Sequence, residues 1–283
     1  MTTDAALPTC AQHPDRETRV ACPRCGRAAC DLCLPSPGAA GPQICSSCRE
    51  DVQRGDATGA GTALRAPAQG GAPVTFTLLG LFVVVFVAGL LTGDDVSPIL
   101  LYGAQINALV EAGQWWRVLT ATMLHADLTH LLFNGYALYI LGAQLERGVG
   151  SRAFAALYVA AGIAGGIAFL VTSPGQVAVG ASGAIFGLFG AWFAASWVNR
   201  HTPQGRAGLS QFGLLLLINL ALPLFVPNIA WEAHLGGLVA GAVIGLGWAR
   251  SSRAGRTARP SRVLLPSVLI VVLSLALLWY TMA

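Results

Sequence analysis

Seven apolar stretches follow one another after residue 73, the first reading VTFTLLGLFVVVFVAGLL at 74–91. A helix needs about 20 residues to cross about 30 Å of hydrocarbon. The others lie at about 126–145, 153–172, 182–198, 209–226, 229–249 and 263–281. Only 11% of the 283 residues are charged, against about 25% in soluble domains. With a mean hydropathy of +0.62, the chain reads as an all-α polytopic membrane protein.

Arginine placement orients the spans, because basic residues favour cytoplasmic loops. With the N-terminus inside, nine arginines fall in inside loops: Arg147, Arg152, Arg200, Arg206, Arg250, Arg253, Arg256, Arg259 and Arg262. Only Arg117 falls outside, in the long polar segment 92–117, together with Asp94 and Asp95. The start, MTTDAALPTC, lacks the charged and apolar regions of a signal peptide. The expected location is the cell membrane, multi-pass, with the N-terminus cytoplasmic and the C-terminus outside. The net charge of +4 is small, and its arginines sit between apolar runs rather than on one face, so no nucleic-acid partner is expected.

All seven cysteines precede residue 49 and define a separate head, 1–50. A Gly-, Ala- and Pro-rich linker is expected at 51–73. The head's ligand candidates form pairs: Cys10 with His13, Cys22 with Cys25, Cys30 with Cys33, and Cys45 with Cys48. A two-residue gap lets one turn aim both side chains at one ion. Eight ligands suffice for two closed tetrahedral zinc sites, which are structural rather than catalytic. An odd cysteine count and a reducing compartment argue against a disulfide framework. The pair order resembles the B-box type of zinc finger, and that resemblance implies cross-bracing: first pair with third, second with fourth. A compact zinc module of this kind suits binding of a cytoplasmic protein partner.

Polar side chains enter the spans at similar depth. His125 stands at the mouth of the second span, and His130 and Asn134 share one face below it. His234 lies about one turn into the sixth span, and Ser182 opens the fourth. Intramembrane ionisable residues are costly and point to function, whereas a lone Ser or Asn in a span is commonly interhelical glue. From His234, Gly237, Gly241 and Gly245 continue a four-residue step, matched by Gly183 and Gly187 on the fourth span. Such faces allow close backbone approach, which would bring Ser182 toward His234.

The strings GASGAIFG, HADLTHLLFN and AHLGGLVAG, in these positions, resemble the rhomboid intramembrane serine proteases. The likeness covers about residues 74–249, with WWR at 115–117 and LERGVG at 145–150 as further family elements. It implies a six-helix rhomboid-like core at 74–249, with 250–283 supplying a basic loop and one extra C-terminal transmembrane helix. It implies Ser182 as nucleophile and His234 as general base in a two-residue dyad. The oxyanion would be held by the Ser182 N–H and the side chains of Asn134 and His130. Gly180, His125 and Arg117 are expected in support, and Phe186 stands where the family usually has a tyrosine stacked on the base. The expected activity is hydrolysis of peptide bonds in or near transmembrane segments of membrane-anchored proteins in the lipid bilayer, with no cofactor for catalysis. The alternative is a catalytically silent rhomboid-like binder of transmembrane helices; a solute transporter is disfavoured because internal repeats are not apparent.

Overall fold

The structure, a computed structural model of the chain, describes residues 7–22, 27–34, 44–53, 71–92, 97–226, 229–253 and 260–282. Cys25, most of the expected linker, Asp94, Asp95 and the centre of the basic loop, with Arg256 and Arg259, lie outside these residues. The chain divides into two compact units, Met1–Ala66 and Pro67–Ala283, each described here by itself.

In the first unit the regular structure among the described residues is a short helix, α1 (Ser46–Gln53), and two isolated bridges, Thr9 with Glu17 and Ala21 with Ala28. Its buried cluster consists of Cys10, Cys22, Cys30, Cys33, Cys45 and Cys48 with Ala29, flanked by Leu34 and Ile44. A core made mostly of thiols is too small to fold a domain by hydrophobic burial alone, which is the usual situation of metal-dependent modules.

The second unit is helical, as expected of a polytopic membrane protein. Its first helix, α2 (Pro73–Thr92), starts with proline at a position that needs no N–H, and only Thr75 and Phe82 are buried along it. An apolar helix exposed on nearly every face is suited to lipid. Helices α2, α8 (Ser151–Thr172) and α11 (Trp231–Arg253) each carry a stretch long and apolar enough to cross a membrane. The apolar helix α9 (Ser182–Val198) and the apolar part of α12 (Pro260–Met282) are shorter.

Between α2 and α8 the chain departs from simple spans. The polar segment folds into α3 (Pro98–Gly103), α4 (Asn107–Glu111) and α5 (Arg117–Thr120), the last running into a 3-10 turn at Ala121–Met123. The second apolar stretch becomes α6 (Leu128–Ala137), a π-helical turn at Leu138–Gly142, and α7 (Ala143–Val149). Asp127 caps α6 by accepting the His130 N–H at 2.9 Å, which explains why the helix starts at Leu128 rather than at Ala126. The helix α10 (Pro203–Ala221), by contrast, begins earlier than hydropathy alone suggests. Thr202 accepts the Gly205 N–H at 3.0 Å and Pro203 occupies the first turn.

Glu146, 1% exposed, ties the second span to the first. Its carboxylate accepts N–H bonds from Val74 and Thr75 and O–H bonds from Thr75 and Ser151, all between 2.6 and 3.0 Å.

Helix α9 is central, buried along most of its length between α8, α10 and α11. Glycines make the α9–α11 crossing possible. A methyl group at Gly187 would meet the Gly237 carbonyl at 3.2 Å, and one at Gly237 or Gly241 would overlap the backbone of Gly183 or Gly187. The four-residue glycine step read from the sequence is thus the contact face of these two helices.

Candidate active site

Ser182 is the first residue of α9, and no side chain caps this end; the residue before the helix is Ala181. The first N–H groups of a helix have no partner within it, and the helix dipole favours negative charge there. The loop that delivers Ser182 is fixed by a two-residue antiparallel pairing, β1 (Gln105–Ile106) with β2 (Val177–Ala178). Gly180 follows at φ 126°, a conformation that side chains rarely adopt, and its N–H donates to the Ala121 carbonyl at 2.9 Å.

The close α9–α11 crossing brings Ser182 Oγ to 2.9 Å from His234 Nε2. His234 is 8% exposed and Ser182 half-buried. The Phe186 ring stacks on the imidazole, with centroids 4.1 Å apart and planes 9° from parallel. Packing therefore sets the ring plane, while Nδ1 has no hydrogen-bond partner among the described residues.

His130 and Asn134 stand across the same space from α6. A methyl group at Gly180 would come within 2.7 Å of His130 Nε2 and 3.5 Å of Asn134 Nδ2, so both side chains face the loop just before Ser182. Asn134 is buried and its Nδ2 is unpartnered among the described residues. His125 is also buried, its ring 5.2 Å from that of His130 and 4.8 Å from that of Phe82, with both nitrogens unpartnered. Arg117 is 3% exposed and donates to the carbonyls of Leu101 and Ala104 and to Gln114 Oε1, bracing the segment that follows α3.

Two residues went unremarked in the sequence. Gln105 donates to the Gly166 carbonyl at 2.7 Å and to Asn107 Oδ1 at 3.0 Å. Asn107 donates to the carbonyls of Phe169 and Ser173, at 3.2 and 2.7 Å. Together they dock the segment between α3 and α5 on α8. Nothing in a polar loop marks two amides as buried; only their partners do. Beside Ser182 a small cavity, open to solvent, is lined by Gln105, Val118, Thr122, Gly166, Phe169 and Gly183 among others.

In the first unit, Cys10, His13, Cys30 and Cys33 bring their ligand atoms together within 4.8 Å, and so do Cys22, Cys45 and Cys48. No disulfide joins the cysteines among the described residues. Tetrahedral zinc with Zn–S of about 2.3 Å and Zn–N of about 2.0 Å requires S···S edges near 3.8 Å and S···N edges near 3.5 Å. In the first group the Cys10–Cys33 and Cys30–Cys33 sulfurs are 3.6 and 3.9 Å apart. His13 Nδ1 lies 3.3 to 3.9 Å from the three sulfurs. In the second, Cys22 and Cys48 are 4.0 Å apart, and the Cys45 N–H donates to Cys22 Sγ. Both groups fit a metal ion. The first combines the first and third pairs of the sequence, and the second draws on the second and fourth.

Residues 112–251 match the Rhomboid domain. The chain is 36% identical over 217 residues to rhomboid protease GluP of Bacillus subtilis, covering 75% of this chain and 41% of GluP. It is 41% identical over 141 residues to YdcA of the same bacterium, covering 49% of this chain and 69% of YdcA. RHOMBOID-like protein 5 of Arabidopsis thaliana is 35% identical over 159 residues, covering 55% of this chain and 51% of that protein. The chain thus spans less than half of GluP and about half of the Arabidopsis protein.

Proposed function

Because this chain belongs to the rhomboid family, we propose that it is an intramembrane serine protease acting on membrane-anchored proteins through Ser182 and His234. The observation that carries this reading is the 2.9 Å contact between Ser182 Oγ and His234 Nε2 at an uncapped helix start. His234 Nε2 takes the Ser182 proton as Oγ bonds to the scissile carbonyl carbon. The resulting oxyanion lies against the Ser182 N–H, with Asn134 Nδ2 and His130 as further donors. His234 then gives its proton to the leaving amine, and the C–N bond breaks. In the second half His234 takes a proton from water, whose oxygen attacks the acyl-enzyme. Release of the new carboxyl end returns that proton to Ser182. The stacked Phe186 does the orienting that a third, acidic member performs in other serine proteases.

Helix geometry supports a site below the membrane surface. The 17 residues of α9 span about 25 Å, short of the about 30 Å of hydrocarbon. The irregular loop before Ser182 is tolerated at depth because it lines protein and a solvent-open cavity. The arginine bias supports a cytoplasmic N-terminus, an outward-opening site and an outside C-terminus. For the head, the reading is two structural zinc ions, the second completed by Cys25, and a role in binding a cytoplasmic partner.

A fluorophosphonate probe tests the assignment. The purified protein should be labelled at Ser182 and should cleave a model transmembrane substrate. A folded protein that is neither labelled nor active would favour the silent helix binder. Asn134→Ala and His130→Ala should each lower turnover by on the order of 10²–10³, about 2.7–4 kcal/mol, as expected for loss of one oxyanion donor. Unchanged rates in both variants would remove these side chains from the site.

A further inference from the structure

The last helix is joined to the candidate site by a short apolar path. Most apolar side chains described on α12 are exposed, among them Leu269, Val272, Leu273 and Trp279, as suits contact with lipid. Leu278 is the exception near its C-terminal end. At 6% exposed, it belongs to one apolar cluster with Val110 and Val118 of the outer loop and Ile167 and Leu170 of α8. Val118 also lines the cavity beside Ser182. There it packs over Gly166, where a methyl group would meet Val118 Cγ1 at 2.7 Å. Val118 thus belongs both to the lining of the cavity and to the cluster that holds Leu278. It also follows Arg117, whose guanidinium fixes the loop backbone at Leu101 and Ala104.

We propose that Leu278 is a positioning residue: it backs Val118 and so sets the size of the cavity that receives a substrate side chain beside the scissile bond. This rests on the protease reading above. A close-packed wall keeps its shape only while its backing is filled, and a shortened side chain behind it leaves space into which it can relax. The seventh helix then contributes to substrate selection without touching substrate.

The test compares kcat/KM for two model transmembrane substrates that differ only at that position, one carrying alanine and one valine. Leu278→Ala should shift the ratio toward valine by about tenfold, the scale on which small apolar differences are discriminated in a pocket. Val118→Ala should shift it the same way. The double variant should add little to Val118→Ala, since both changes open the same wall. Leu278→Met should keep the wild-type ratio, as should Leu273→Ala on the lipid side. If Leu278→Ala does not fold, Leu278→Val gives a smaller shift of the same sign. A merely structural role would lower both kcat/KM values together and leave the ratio unmoved, and that result overturns the proposal.

Hydrogen exchange supplies a readout independent of catalysis. Amides from Val118 to Ala121 should exchange faster in Leu278→Ala than in wild type. Unchanged exchange would break the link between α12 and the loop, and the proposal with it. If wild-type protein were neither labelled by fluorophosphonate nor active, the protease reading would fail and the role in selection with it. The exchange result would then decide alone whether Leu278 positions Val118.

Discussion

Ser182→Ala and His234→Ala are each expected to lower turnover of a model transmembrane substrate by on the order of 10⁶, while the protein still folds and inserts. In serine proteases with a comparable nucleophile and base, loss of either group alone costs about that factor, or about 8 kcal/mol of barrier. Each single loss removes nearly the whole effect because the two groups act as a unit. An alanine at 182 leaves nothing for His234 to deprotonate. An alanine at 234 leaves a hydroxyl whose proton has no acceptor within reach, since the described contact of Ser182 Oγ is His234 Nε2 at 2.9 Å. The double variant should therefore be scarcely slower than either single one. Neither change should unfold the protein. The α9–α11 crossing is held by Gly183, Gly187, Gly237 and Gly241 against backbone, and both side chains lie at its edge. Turnover and thermal melting of the three variants, measured side by side, check this. A stable single variant with near-wild-type turnover would refute the mechanism, and additive losses in the double variant would show that the two groups act separately.

Zinc removal should be the most disruptive treatment of the first unit. Full-length protein in detergent is expected to carry two equivalents of zinc, and Cys22→Ser or Cys33→Ser should each lower this to one. Structural zinc sites contribute about 10–16 kcal/mol in small domains. Here the buried cluster offers little else, since apart from Ala29 it consists of cysteines. Chelation should thus unfold residues 1–50 and expose them to proteolysis. The membrane unit has its own core, so turnover by Ser182 should persist. A head that remained protease-resistant after complete metal removal would refute the structural role. Loss of turnover on chelation would show that the head governs the site.

How much of this was legible in the sequence depended on whether the information was local. The spans, the serine that opens the fourth of them after Gly-Ala, and the four-residue glycine steps on two helices are patterns within one stretch of chain. A sequence displays such periods directly, because a helix places residues four apart on one face. Helix starts were less legible: Asp127 and Thr202 shifted α6 and α10 through single side-chain bonds that hydropathy does not register. The π-helical turn at Leu138–Gly142 was likewise invisible in composition.

By itself, then, the sequence determined a helical membrane protein of the rhomboid family with a thiol-rich head, and it determined which side chains could do chemistry. Tertiary structure alone decided how they meet. It paired Gln105 and Ile106 with Ala178 and Val177, stacked Phe186 on His234, set Glu146 on the start of α2, and gathered Leu278 into one apolar cluster with Val118, 160 positions away. The reason is physical. Periodicity fixes which face of a helix is apolar or small, but many neighbours satisfy such a face equally well. The choice among them is made by close packing and by the partners that buried polar groups find, and both depend on residues remote in the chain.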